Sequence, residues 1–279
     1  MHKLLTPLVL TTLLNAAHYD NKFEFGFKTS AYNYTERDPQ DNILDTEKSD
    51  LFEIGGIYGS YEHEIEQYSK ENYDVHYYMN LYTSITYGDT EYIGSLLSPP
   101  GPYGSYTSTT ENSFYELQAN LKRMTYYNNS STYILLGLGY KEWRRELSTT
   151  QIETYYYFFS QAVAGAQTAI YNDWSIGLDL TAQLAYNPKM EADFSGGTER
   201  LHETFLLGTV YTYKIAVPLT IPITNGFDFT TKLEYEFTSI GKSNTIITPG
   251  FTPCSTTGCY EPDSQQKNLH IYTGLQLLF

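Results

Sequence analysis

NLHIYTGLQLLF, residues 268–279, divides cleanly when read in steps of two. Leu269, Ile271, Thr273, Leu275, Leu277 and Phe279 fall on one side, and Asn268, His270, Tyr272, Gly274 and Gln276 on the other. A period of two is the signature of a half-buried β-strand. The pattern recurs upstream. In FDFTTKLEYEF (227–237), Phe227, Phe229, Leu233, Tyr235 and Phe237 oppose Asp228, Lys232, Glu234 and Glu236. In WSIGLDLTAQLAY (174–186), Trp174, Ile176, Leu178, Leu180 and Leu184 oppose Asp179 and Gln183, and KFEFGFKTSAY (22–32) sets Phe23, Phe25 and Phe27 against Glu24, Gly26 and Lys28.

Six further strands are predicted over 51–61, 74–87, 113–124, 132–146, 153–170 and 200–214. The segment 153–170 carries apolar residues in both phases, so periodicity does not assign its faces. The connections alternate in length. QYSKEN, YYNNSS, YND and VPLTIPITNG are short, whereas ERDPQDNILDTEKSD, GDTEYIGSLLSPPGPYGSYTSTTEN, NPKMEADFSGG and the stretch 239–266 are long; LSTTQ is the exception. An even strand count, short turns at one end, long loops at the other and both chain ends on the short-turn side describe a transmembrane antiparallel up-and-down β-barrel of about ten strands, with N- and C-termini periplasmic.

Composition fits that reading. The 279 residues include 29 tyrosines, and aromatics make up 16 % of the chain. The longest apolar run, Leu4 to Leu14, is shorter than the about twenty residues a membrane helix needs. Lys3, that run and the Ala16-Ala17 pair instead read as a signal peptide over 1–17, leaving 18–279 as a single barrel domain. A formal charge of −15 without a Lys/Arg cluster excludes a nucleic-acid partner. In an exported chain Cys254 and Cys259 are expected to form a disulfide, and no metal site or cofactor is predicted.

Alternation alone does not distinguish a membrane barrel from a soluble, lipocalin-like one. Strands of ten or more residues with tyrosines near their ends favour the membrane, as does a final strand that resembles the terminal strand of bacterial outer-membrane barrels. That resemblance implies recognition of Phe279 by the barrel assembly machinery and residence in the outer membrane of a Gram-negative-type bacterium. With apolar faces toward lipid, the inward set is Glu24, Lys28, Glu53, Asp74, His76, Glu116, Lys122, Lys141, Asp179, Lys214, Asp228, Lys232, Glu234 and Glu236. In so narrow a barrel these are expected to pair and obstruct the lumen. Asp74 and His76 read as structural partners more than as an acid/base unit.

YILLGLGYKEWRREL followed by YYYFFSQAVAGAQTAIYNDWSIGLDLTAQLAY is similar in spacing, and in its Gly and aromatic placement, to the central hairpins of the omptins, the outer-membrane proteases. In that family an Asp-x-Asp pair beyond the third strand and an Asp-x-His pair after the seventh activate a water. At the first place stand Asp89 and Glu91; at the second stand Glu191 and Asp193, without the histidine. His202 begins the next strand. The expectation is a non-enzymatic surface, adhesin or structural protein, with an altered omptin-like protease or a small selective channel as alternatives. Arg144 in KEWRRE is expected to face outward and meet lipopolysaccharide phosphates.

Overall fold

The computed structural model describes residues 21–70, 72–95, 102–127, 129–171, 174–196, 199–247 and 258–279. The expected signal peptide and Cys254 lie outside these residues. The described chain is β throughout, in eleven strands: β1 (Asn21–Arg37), β2 (Ile43–Lys70), β3 (Tyr73–Gly94), β4 (Tyr106–Tyr126), β5 (Ser130–Ser148), β6 (Gln151–Tyr171), β7 (Trp174–Gly196), β8 (Glu199–Leu206), β9 (Val210–Thr224), β10 (Phe227–Ile240) and β11 (Asp263–Leu278).

Every pairing is antiparallel. β1 lies between β2 and β11, and the β6–β7 ladder closes the sheet into a barrel. β8 and β9 share one position, because β8 pairs with the upper part of β7 (Glu191 opposite Thr204) and β9 with its lower part (Ala182 opposite Tyr213). Ten positions result. At one end the short turns lie beside the chain ends, where Asn21 and Phe279 exchange backbone hydrogen bonds of 2.9 and 3.0 Å. We call this the terminal end and the opposite one the far end.

The outer surface shows why strands form here. Phe23, Phe25, Phe27, Ile57, Leu81, Ile85, Leu117, Leu121, Ile134, Leu136, Leu138, Leu178, Leu180, Ile215, Leu233 and Leu275 are all exposed and make an apolar belt around the terminal half. Outward aromatics edge the belt, with Tyr68 against Tyr77 below and Tyr115, Tyr140 and Phe158 in succession above. That is the surface a bilayer solvates.

The strands outrun this belt. β2 has 28 residues, against the roughly 9–11 that a tilted membrane strand requires. Stretches expected as loops are therefore barrel wall: GDTEYIG belongs to β3, and most of NPKMEADFSGG to β7. Above the belt, outward side chains meet water, so the apolar phase stops while the hydrogen-bonded ladder continues.

Two irregularities reset the phase. Between Ser49 and Glu53 the β2–β3 register slips and Phe52 takes φ 83°, which leaves Glu53 exposed rather than in the lumen. Near Asn187 (φ 48°) the inward set of β7 changes from odd positions such as Gln183 to even ones, Met190 and Ala192. The segment 153–170 was ambiguous for a related reason: Tyr155, Tyr157 and Phe159 point inward into an aromatic core, while its outward face is also apolar. A close approach occurs at Gly26, opposite Gly274. A Cβ there would lie 2.2 Å from the Thr273 carbonyl and 2.8 Å from the ring of Tyr58, which fills the notch.

Candidate functional site

The interior is built in storeys. Nearest the terminal end, Glu62 bridges Lys22 and Lys122, each at 3.0 Å, beside a polar cavity of about 640 Å3. His76 pairs with Glu64 at 3.2 Å, while Asp74 is exposed, so the expected Asp74–His76 pairing gives way to a cross-strand one. At mid-height, Glu236 takes Lys214 at 2.8 Å and Lys141 at 3.0 Å, and Glu234 takes Lys232 at 3.1 Å and the Tyr272 hydroxyl at 3.0 Å. The donor atoms of Glu234, Glu236 and His270 lie within 4.8 Å of one another. Lysines already meet both carboxylates, so the trio fits an ion-pair network better than a metal.

Above this layer the lumen is filled by rings. Trp143 stacks on Tyr155 with centroids 4.4 Å apart and lies parallel to Phe114, with Tyr34 edge-on; its indole donates to Asn112 Oδ1 at 2.7 Å. An interior packed this way leaves no broad aqueous path at this height.

Over the rings sits Arg145, fully buried. Its Nη2 and Nε reach Glu47 Oε1 at 2.6 and 2.9 Å, and its Nη1 reaches Glu153 at 2.9 Å and Glu36 at 3.1 Å. The guanidinium also lies over the Tyr34 ring, 4.4 Å from its centroid. Glu47 is satisfied further by the Thr90 hydroxyl and the Asn112 amide. Glu261 accepts from the Tyr155 hydroxyl at 2.5 Å. Burial pushes the Asp45 and Glu261 carboxyls well above the ordinary carboxylate range, and the nearby Glu36 charge adds to it. Arg145 is the buried member of the Arg144–Arg145 pair, and Arg144 the exposed one. Two steps of two from Lys141, already in the inward set, reach Trp143 and then Arg145, and that parity was the available signal.

The sequence-derived candidates stand elsewhere. Asp89 and Glu91 are exposed on β3, where Thr90 and Tyr92 between and beyond them point inward. Glu191 and Asp193 flank the buried Ala192 on β7 and so face outward; Glu191 accepts from the Tyr156 hydroxyl at 2.7 Å. Asp193 stands opposite His202 in the β7–β8 register, and His202 is exposed. The structure thus brings His202 to Asp193. It keeps them apart from Asp89 and Glu91, because β4, β5 and β6 lie between. Arg144 faces outward as expected and pairs with Glu146 on its own strand. Cys259 forms a backbone bridge with Ile246; with Cys254 outside the described residues, the disulfide stays an expectation.

No protein-family model matches the sequence, and neither does any curated protein. Solved structures do match. The outer-membrane protease OmpT from Escherichia coli superposes with a TM-score of 0.57 over 95 % of this chain and 100 % of its own, at 11 % identity. The fold is that of a bacterial outer-membrane β-barrel of omptin-like outline. The translocator domain of the autotransporter NalP from Neisseria meningitidis covers 99 % of this chain and 95 % of its own at 8 % identity, with a TM-score of 0.44. At such identities the likeness concerns the fold and carries no activity with it.

Proposed function

We propose that this outer-membrane-type barrel is a filled, non-enzymatic protein, an adhesin or structural component of a Gram-negative-type outer membrane, with its termini in the periplasm and its far end outside the cell. The observation that supports it is the direction of the candidate acids. Asp89 and Glu91 on β3, and Glu191, Asp193 and His202 on β7 and β8, lie on the outer surface and on separate arcs of the barrel. A hydrolytic site needs its carboxylates and base around one water. The pairing of interior charges supports the other half of the reading, that solutes do not pass freely.

The same proposal includes cleavage of a signal peptide near Ala17, a Cys254–Cys259 disulfide, recognition of the Phe279 strand by the assembly machinery, and lipopolysaccharide at Arg144. The test is direct. Refolded protein supplied with lipopolysaccharide is expected to leave dibasic peptides intact, with no change in the His202→Ala variant. Cleavage that disappears in Asp89→Asn or His202→Ala would replace this reading with the protease one.

A further inference from the structure

Most of the charge around the cavity at the terminal end is already taken up within the protein. The cavity, of about 640 Å3, runs from the β4–β5 turn at Tyr127 and Ser130 up to the mid-height layer, where Lys214 between Glu116 and Glu234 closes it. Lys22 and Lys122 share Glu62, and Lys232 pairs with Glu234. Glu24 accepts from the Tyr58 and Thr230 hydroxyls, and Asp228 from the Gln276 amide. A charged guest would have to break these pairs and leave a partner behind, which is costly in a narrow lumen. What stays open to a guest is neutral, apart from Asp179, whose Oδ1 meets no hydrogen-bond donor.

The neutral groups are ordered. Asn80, Asn120, Gly137, Gln161 and Gln183 stand in one register row across β3, β4, β5, β6 and β7. Their amides hydrogen-bond in a single direction: Gln183 donates to Gln161 Oε1 at 3.1 Å, Gln161 to Asn120 Oδ1 at 2.6 Å, and Asn120 to Asn80 Oδ1 at 3.0 Å. Gly137 makes the chain possible, since a Cβ there would lie 1.8 Å from Asn120 Oδ1. A one-way chain ends in unused groups. Among the described residues the Asn80 amide N–H groups have no acceptor and Gln183 Oε1 has no donor, and both side chains line the cavity. Each amide polarises the next, so these two ends are the strongest donor and acceptor of the row.

We propose that this cavity binds a neutral polyhydroxylated molecule of mono- or disaccharide size. A hydroxyl both donates and accepts, so one such molecule serves the Asn80 donors and the Gln183 acceptor together. The rings of Tyr58, Tyr82 and Tyr133 in the same wall supply flat faces for the C–H side of a sugar ring. The volume falls within the roughly 300–1,000 Å3 of small-molecule sites, and the polar lining selects a polar guest. Closure at the mid-height layer makes the cavity a dead end, which a small molecule fills and a threaded chain does not. The inference needs only the barrel and its terminal cavity, and it stands apart from the question of proteolysis, since none of the outer-face acids takes part.

The test uses the full chain, refolded in a detergent without a sugar headgroup. Saturation-transfer NMR with glucose and with maltose as probes is expected to show one saturable site, with a Kd of about 1 mM for the better of the two. Gln161→Leu, which interrupts the amide row at its middle, should weaken that binding about tenfold or more. Asp89→Asn, at an exposed acid on the outer face, should leave it unchanged. Asn80→Leu, at the donor end of the row, serves as the second variant if Gln161→Leu does not fold. The proposal is overturned if neither sugar gives a saturable signal, the cavity then holding water only, or if the folded Gln161→Leu and Asn80→Leu variants bind as the parent does. Lysine or glutamate binding as tightly as the sugars would also overturn it, because the ion pairs and not the amides would then select the guest.

Discussion

Adjacent arginines with opposite directions provide a controlled comparison. Arg145 contributes ion pairs to Glu47 at 2.6 Å, Glu153 at 2.9 Å and Glu36 at 3.1 Å with its side chain 1 % exposed, whereas Arg144 pairs with Glu146 while 43 % exposed. Replacing Arg145 with Gln keeps part of the volume and removes the charge, leaving three buried carboxylates facing one another. Removal of one partner from a buried ion pair destabilises by about 3–5 kcal/mol. The same change at Arg144 touches a surface pair worth about 0–1 kcal/mol. Urea titration of each refolded variant gives the difference, and Trp143, whose ring centroid lies 5.2 Å from the Arg145 guanidinium, reports the loss of local structure through its fluorescence. Arg145→Gln is expected to lower the unfolding free energy by about 3 kcal/mol or more, and Arg144→Gln by under about 1 kcal/mol. Equal effects from the two variants would refute the argument that the Arg145 chamber is a coupled, buried charge network.

Lys214→Met should destabilise by a similar amount, about 3–5 kcal/mol by urea titration, because Glu236, Glu116 and Glu234 all lose the same ammonium. Gly26→Val should prevent assembly, since its Cβ would sit 2.2 Å from the Thr273 carbonyl and displace Tyr58; a heat-modifiable gel band from this variant would contradict the close approach drawn there. Arg144→Gln should lower the lipopolysaccharide that co-purifies with the barrel while leaving it folded, and unchanged lipid content would mean that Arg144 only pairs with Glu146.

The barrel was legible because its terminal half has lipid on one side and a polar interior on the other, so the period of two survives in 227–237 and 268–279. The far half was not, for a physical reason. Around Asp89 and Glu191 both the wall and a loop would place charged side chains in water, and nothing in the sequence separates them. The inside of that half is apolar in part, so Tyr155, Tyr157 and Phe159 leave the strand at 153–170 legible but its faces unassigned. Bulges added local errors: Phe52 carried Glu53 out of the lumen, and Asn187 reversed the parity of β7. The chamber was missed through a one-residue choice, Arg144 over Arg145, although the parity from Lys141 already pointed inward. The β7–β8 register places His202 opposite Asp193 on the outer face, a cross-strand relation that spacing along the sequence does not show.

A barrel filled as proposed is obstructed by its own side chains: the Glu62 bridge, the Glu236 network, the rings around Trp143 and the Arg145 chamber, one above another. Single-channel recording of the refolded protein in planar bilayers tests it most directly. With the lumen crossed by ion pairs and the far half packed with rings, no stable ohmic steps are expected beyond those of protein-free bilayers. Large, steady steps comparable to a porin's would contradict an obstructed lumen and make the barrel a channel.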